Sequence, residues 1–189
     1  MNKIVWIIMG IFCFGCSSNA QNRTTDQSAK NDKHILVAYF SCTGTTEKVA
    51  EAIASAIDGD LYCITPAEAY TAADLNWHDR QSRSSVEMTT ETARPELAGE
   101  ELNADVYDVI LLGYPIWWDL CPRPVNSFIE QYKFAGKTVI PFATSGGSSI
   151  TNSVKTLQKL YPAINWQTGK LLNGGPKQAA DWAKQTVVK

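Results

Sequence analysis

The loop at residues 41–46 holds the side chains best suited to chemistry in this chain. It follows an apolar run at 34–40 that predicts a strand, and it precedes apolar residues at Val49, Ile53 and Ile57 that predict a helix. The loop reads Ser41, Cys42, Thr43, Gly44, Thr45 and Thr46. Free amides at a helix start attract anions, hydroxyls add donors, and glycine allows a close approach of backbone and ligand. Because the loop has no lysine or arginine, we expect neutral donors that bind one phosphate monoester.

Other motifs fit this loop less well. A P-loop needs G-x-x-x-x-G-K-[ST], a frame that Lys48 does not occupy, and a dinucleotide fingerprint needs three glycines where the loop has Gly44 alone. A tyrosine-phosphatase-like loop would use Cys42 as nucleophile, but Lys48 stands where its arginine should be. No Asp-Pro pair supplies that family's usual general acid. A phosphatase-like hydrolase is therefore only a minor alternative.

Two further loops complete a three-loop pattern. One reads Tyr114, Pro115, Ile116, Trp117 and Trp118, and the other reads Thr144, Ser145, Gly146, Gly147 and Ser148. With the S/T-x-T-G-x-T pattern at 41–46, and in this order, these loops resemble those of flavodoxins, in particular the short bacterial flavodoxin-like branch. The resemblance extends over 34–189 and implies an FMN cofactor that carries the redox chemistry. The implied phosphate contacts are the hydroxyls of Ser41, Thr43 and Thr46 and the amides of 42–46.

The other two loops would contact the flavin ring. Trp117 and Trp118 would offer flat apolar surface to the isoalloxazine, although the sequence does not tell which indole stacks on it. Core filling is the alternative role for these tryptophans. Amides of 145–148 would face the pyrimidine oxygens, and the alternative is that Ser148 or Ser149 caps the next helix.

Strand-like and helix-like segments alternate along the chain, which predicts an α/β fold. The predicted strands are 34–40, 60–64, 106–113, 138–143 and a weak strand within 164–172. The predicted helices of the alternating pattern are 46–57, 124–132, 149–160 and 176–187. Right-handed crossovers constrain the topology so that the first and third strands are adjacent. The resemblance implies a three-layer, doubly wound, flavodoxin-like fold whose five-stranded parallel sheet has the order 2-1-3-4-5, with helices on both faces. The first and third strands meet at the switch point where such folds bind ligands, a rule for which flavodoxin is itself a known example.

Two segments fit this pattern poorly. Pro141 lies inside the internal fourth strand, and it predicts a local bulge because proline lacks the amide donor. The long segment 66–103 is predicted to contain one polar helix at 69–92, with Trp77 among its few large apolar residues. The segment either lies beside the cofactor, as an insertion does in the resembled branch, or forms only a surface helix.

The first residues resemble a bacterial lipoprotein signal. Lys3 precedes an apolar run at 4–14 that is too short to span a bilayer and is followed by Gly15 and Cys16. We predict a signal peptide at 1–15, lipidation of Cys16, a polar tether at 16–33 and an FMN-binding domain at 34–189. The expected location is the bacterial cell envelope, with the lipid as the only membrane anchor. Cleavage of a plain secretory signal near 19–21, giving a soluble periplasmic or secreted protein, is the alternative.

Charge and cysteine content exclude several classes of protein. The net charge of −2 and the lack of a basic stripe argue against a nucleic-acid partner. Cys42, Cys63 and Cys121 lie in the predicted domain, and an odd number does not indicate a disulfide scaffold. We expect Cys63 to pack as a small apolar residue. A disulfide between Cys42 and Cys121 is a hypothesis, since both fall in loops at one sheet edge.

The remaining candidate residues support no metal or hydrolase site. His34 and His78 are the only histidines and lack metal-ligand spacing, and no G-x-S-x-G is present. We therefore predict an FMN-binding redox protein, either an electron carrier or an NAD(P)H-dependent oxidoreductase. Its partner would be a redox protein or a small-molecule electron donor or acceptor. The alternative is a non-catalytic flavin-binding or lost-cofactor module at the cell surface.

Overall fold

The structure, a computed structural model, describes residues 33–99 and 101–187. The predicted signal peptide, Cys16 and nearly all of the predicted tether lie outside these residues. None of the helices in the described ranges is long and apolar enough to cross a lipid bilayer.

Strands and helices alternate through the described chain. The strands are β1 (Ile35–Tyr39), β2 (Asp60–Cys63), β3 (Val109–Pro115), β4 (Thr138–Thr144), β5 (Asn165–Trp166) and β6 (Lys170–Leu171). The α-helices are α1 (Thr45–Ile57), α2 (Arg83–Thr89), α3 (Arg123–Tyr132), α4 (Thr151–Leu160) and α5 (Gly175–Val187). A short 3-10 helix, Ala104–Val106, precedes β3, so β3 begins three residues later than predicted.

All strand pairs of the sheet are parallel, and the strand order is β2-β1-β3-β4-β5. This confirms the predicted doubly wound flavodoxin-like fold. The weak strand predicted within 164–172 consists of two short strands in the structure. β5 pairs with the start of β4, and β6 pairs with its end. The carboxyl ends of β1, β3 and β4 lie at one edge of the sheet, which places the loops that follow them side by side.

The two faces of the sheet are buried under separate hydrophobic clusters. Successive residues of β3 alternate between them: Ile110 and Leu112 face one cluster, while Val109 and Leu111 face the other. A strand buried on both faces needs an uninterrupted apolar run, as this sequence has. Gly113 is required for packing, because a β-carbon there would overlap the ring of Phe142.

Pro141 does not produce the predicted bulge. The pairing of β3 with β4 is continuous, and Pro141 stands opposite Leu112 in regular register. The carbonyls of Val139 and Ala143 accept hydrogen bonds from the side of β4 on which β5 and β6 lie. Pro141 is two residues from each of them, so its backbone nitrogen and carbonyl point to the same side. β5 and β6 leave a gap at this point, and the missing amide hydrogen therefore costs no ladder hydrogen bond.

The predicted helix at 69–92 is wrong, because only Arg83–Thr89 is α-helical. Side chains bind nearby backbone in the preceding stretch: Asp74 accepts from the Thr71 amide at 2.8 Å, and Asp79 accepts from the Gln81 amide at 2.8 Å. Such local hydrogen bonds favour turns over helix. The helix begins after Ser82, whose hydroxyl accepts from the Ser85 amide at 3.4 Å.

Candidate functional site

The loops after β1, β3 and β4 line one cavity of about 1240 Å³ at the carboxyl edge of the sheet. The predicted site residues that line it are Ser41, Cys42, Thr43, Thr45, Thr46, Pro115, Ile116, Trp117, Trp118, Ser145, Gly146, Gly147 and Ser148. Gly44 is the one predicted site residue that does not line the cavity. The structure therefore brings the three loops together, while binding of a ligand by these residues stays a prediction.

The first loop presents backbone amides that have no protein partner. Gly44 adopts a left-handed conformation with φ of 78°, and α1 begins at the next residue without a side-chain cap. Among the described residues, no acceptor is found for the amides of Cys42, Thr43 or Gly44. The amides at the start of α1 also lack acceptors by helix geometry. Unpaired donors at the positive end of a 13-residue helix form a site for an anion.

The hydroxyls of this loop are partly used within the protein. Thr46 Oγ1 lies 2.8 Å from Thr144 Oγ1, and both side chains are buried. This bond joins the first loop to the end of β4. One hydroxyl donates to the other, so one O–H of the pair remains available to a ligand. Thr43 Oγ1 and Thr45 Oγ1 lie 3.4 Å apart at the exposed rim of the loop.

The second loop assigns different environments to its two tryptophans. Trp117 and Leu120 exchange backbone hydrogen bonds of 3.0 and 2.9 Å around a tight turn. Trp118 and Asp119 occupy this turn with positive φ values of 46° and 62°, which is uncommon for residues other than glycine. The turn leaves the Trp118 side chain 46% exposed. Trp118 is thus an exposed side chain that lines the cavity.

Trp117 is instead half-buried among aromatic rings. Its ring packs edge-on against Phe40 at 5.7 Å and against Tyr70 at 5.5 Å between centroids. The alternative of core filling therefore applies in part to Trp117, although it also lines the cavity. Tyr70 belongs to the segment 66–103, so this contact connects that segment to the second loop.

The third loop is ordered by its own hydrogen bonds. Ser145 Oγ accepts from the amides of Gly147 and Ser148 at 3.1 and 2.9 Å, and the Ser145 amide donates to Asn173 Oδ1 at 3.0 Å. These three amides, which the sequence assigned to the ligand, therefore already have acceptors. The Gly146 amide is without one among the described residues. Ser148 does not cap the next helix, because α4 begins at Thr151 after Ile150, but Ser149 Oγ accepts from the Thr151 amide at 3.3 Å.

The segment 66–103 supplies a wall of the cavity through Leu75, Trp77 and Ser84. Trp77 is 67% exposed. These three residues were not among the predicted site residues, since the sequence leaves open whether the segment lies beside the site. The available signal was Trp77 itself, a large aromatic residue in a polar segment. Asn173, from the loop after β6, also lines the cavity without having been predicted.

The cavity is nearly uncharged, since Lys48 alone carries a formal charge among the described residues that line it. Burial raises the pKa of the Cys42 thiol to about 12; Arg83 opposes this shift and Glu87 adds to it. A thiol with this pKa is protonated at neutral pH and is a poor nucleophile. This disfavours the phosphatase-like alternative, which needs a thiolate at Cys42.

The described cysteines are free thiols, so the hypothesis of a Cys42–Cys121 disulfide is not supported. Cys121 is buried and its Sγ lies 3.7 Å from Asn126 Oδ1. The prediction that Cys63 packs as a small apolar residue is wrong, because Cys63 is exposed at the end of edge strand β2. The described residues include no group of three or more His, Cys, Asp or Glu side chains that could hold a metal ion.

These environments predict different thiol reactivities. In the native protein at pH 8, we expect iodoacetamide to modify exposed Cys63 first and Cys42 at least about tenfold more slowly, because the Cys42 thiolate is scarce. Mass spectrometry of peptides taken at successive times measures both rates. Under denaturing, non-reducing conditions all three thiols should react. Equal native rates at Cys42 and Cys63 would contradict the assigned burial.

Comparisons with known proteins agree with this architecture. The flavodoxin family model matches residues 34–186. A crystal structure from Bacteroides eggerthii, provisionally assigned as a flavoprotein, is 52% identical, covers 84% of this chain and 100% of that chain, and has a TM-score of 0.78. A second such structure, from Bacteroides uniformis, is 56% identical, covers 80% and 98%, and also has a TM-score of 0.78.

A more distant structure shows the fold alone. It is a flavoprotein from Lactobacillus acidophilus, solved in complex with FMN, with 24% identity, coverage of 80% of this chain and 99% of that chain, and a TM-score of 0.65. Comparison with curated protein sequences finds no match.

Proposed function

The chain belongs to the flavodoxin family, and from this premise we propose that it binds FMN and acts in electron transfer. The family supports a flavin cofactor, and the first loop supports FMN in particular. Its unpaired amides and uncharged hydroxyls suit a phosphate monoester, which FMN has and riboflavin lacks. This group of donors is the observation that carries the proposal.

The residues of the cavity fit the rest of the same cofactor. Trp118 and Trp77 line the cavity with large, partly exposed indoles, a kind of surface that suits a flat tricyclic ring, and Trp77 also packs against the His78 ring at 3.5 Å between centroids. The Gly146 amide is available to a polar atom on the ring edge. When bound, FMN would supply one- and two-electron redox chemistry. The protein's own groups bind and orient it and exclude water from its apolar side.

The size of the cavity favours a reductase over a simple carrier. Its volume of about 1240 Å³ exceeds the range of about 300–1,000 Å³ that is usual for a single small-molecule site. FMN would therefore leave space for a second molecule, such as a nicotinamide donor or a small acceptor. A carrier needs only an exposed cofactor edge and a partner protein.

The first experiment is an absorption spectrum of the purified protein, with the released cofactor identified by chromatography. We expect a flavin spectrum and FMN. NADH or NADPH is then added under anaerobic conditions. If the protein is a reductase, either donor alone should bleach the bound flavin within the time of a catalytic assay. If it is a carrier, the flavin should be reduced only when a partner protein is present. Absence of FMN uptake by folded protein would contradict the proposal and favour the lost-cofactor module.

We further propose that the chain is an envelope lipoprotein. The grounds are in the sequence: Lys3, the apolar run at 4–14 and Cys16, followed by a polar tether at 16–33 and the flavin domain at 34–189. Redox partners would then meet the domain outside the cytoplasmic membrane, and the lipid would be its only membrane contact. Mass spectrometry of the membrane fraction tests this, since a mature protein that lacks an acylated Cys16 would refute it.

A further inference from the structure

We propose that the segment 66–103 contributes a hydrogen bond to the flavin ring through the hydroxyl of Ser84. This inference rests on the proposed FMN site and adds a ligand to it. Ser84 lines the cavity and is 2% exposed. Among residues 33–99 and 101–187, its Oγ is the one buried side-chain oxygen or nitrogen that lacks a hydrogen-bond partner. Buried hydroxyls nearly always have a partner, so this atom needs an explanation.

Neighbouring hydroxyls on the same segment are satisfied within the protein. Ser82 Oγ donates to Ser85 Oγ at 2.9 Å, and Ser85 Oγ donates in turn to the Asp79 carbonyl at 2.7 Å. Thr89 donates to the carbonyl of Ser85, four residues before it. Ser84 has no such bond, although its own amide donates to the Asp74 carbonyl. Its unpartnered hydroxyl is therefore a local exception beside the paired hydroxyls of Ser82, Ser85 and Thr89.

The helix that carries Ser84 is held firmly against the rest of the domain. Arg123, which is 4% exposed, donates to the carbonyls of Glu87 and Met88 at 3.1 and 3.0 Å. Arg83 forms an ion pair with Glu87 at 2.7 Å and lies 4.1 Å from the centre of the Tyr70 ring. Such anchoring makes Ser84 a fixed part of the cavity wall rather than a group on a loose loop.

The surroundings of Ser84 point to the ring of the cofactor rather than its phosphate. The phosphate already has the amides of the first loop and needs no donor from this segment. The other cavity-lining residues of the segment, Leu75 and Trp77, are apolar. An apolar wall with one hydroxyl is suited to an aromatic ligand that carries polar atoms along its edge, as the isoalloxazine does.

The test compares Ser84→Ala with the matched variant Ser85→Ala in the full chain. Kd values for FMN and riboflavin are measured by flavin fluorescence, and melting temperatures are measured without cofactor. For Ser84→Ala we expect both Kd values to rise about tenfold, because both ligands carry the ring. Without cofactor its melting temperature should be unchanged or higher, since the lost hydroxyl had no partner. Ser85→Ala should lower it, because that hydroxyl binds Asp79.

Three outcomes would overturn the inference. Kd values within twofold of wild type would mean that Ser84 does not contact the ligand. A loss confined to FMN would place the hydroxyl at the phosphate, and a fall in the melting temperature without cofactor would mean that it has a structural partner. Failure of the wild-type protein to bind either flavin would instead refute the proposed FMN site itself, so the two failures are distinguishable.

Discussion

Replacing both Thr43 and Thr46 by alanine is expected to weaken FMN binding by about 100-fold and to change riboflavin binding by less than about threefold. Hydrogen bonds to a charged group contribute about 1.5–3 kcal/mol each, so two of them correspond to at least a hundredfold in Kd. Riboflavin has no phosphate, so its Kd should not depend on these two hydroxyls. Titration of both ligands by calorimetry at one ionic strength measures the difference.

The contact between Thr46 and Thr144 requires a control for this experiment. Thr144→Ala removes the partner of Thr46 at 2.8 Å but keeps the Thr46 hydroxyl itself. If that bond only positions the loops, Thr144→Ala should affect FMN and riboflavin equally. Equal weakening of both ligands in the Thr43/Thr46 variant would show that loop geometry, rather than phosphate binding, was lost.

Replacing Arg123 by methionine is expected to lower the free energy of unfolding by about 1–3 kcal/mol. Methionine keeps most of the apolar volume but cannot donate to the last carbonyls of α2. The Met88 carbonyl would lose its Arg123 bond of 3.0 Å, while the Glu87 carbonyl would keep a bond from the Thr90 amide. A buried acceptor without a partner costs about 1–3 kcal/mol. Urea denaturation of the cofactor-free protein measures the change.

Arg94→Met serves as the control for Arg123→Met. Arg94 lies in the segment 66–103 that carries α2, pairs with Glu130 at 2.8 Å and donates to the carbonyls of Glu91 and Ala93 at 3.0 and 2.8 Å. Unlike Arg123, it is partly exposed, so water can replace these partners. Exposed ion pairs contribute about 0–1 kcal/mol, so this variant should stay close to wild type. If Arg123→Met were no more destabilising than Arg94→Met, then Arg123 would not anchor α2, and the fixed cavity wall inferred for Ser84 would lose its support.

Local patterns were sufficient to predict the sheet and the three loops that line its carboxyl edge. The apolar run in β3 indicates a strand buried on both faces, and the hydroxyl-rich loop around Gly44 indicates a helix start that binds an anion. Right-handed crossovers place the first and third strands side by side, and the resemblance to flavodoxins supplies the strand order that brings these loops together. Neither step depends on the detailed packing of side chains.

One error comes from local side-chain hydrogen bonds, and the others fall where distant contacts decide the structure. The composition of the segment 69–92 is compatible with a helix. The carboxylates of Asp74 and Asp79 accept from nearby backbone amides, however, and most of the segment forms turns. Pro141 causes no bulge because the gap between β5 and β6 happens to face it. Whether Trp117 or Trp118 stays free depends on packing against Phe40 and on a strained turn, neither of which the order of residues reveals.

The sequence by itself determined the family, the topology and the identity of the three loops, since hydrophobic periodicity and loop composition can be read from residues that are close together in the chain. Only the tertiary structure decided which groups within those loops are free to bind. Thr46 is paired with Thr144, three amides of the third loop are occupied, and Ser84 is left without a partner. The reason is physical: a buried polar group is satisfied by whatever lies next to it in space, and those neighbours come from distant parts of the chain.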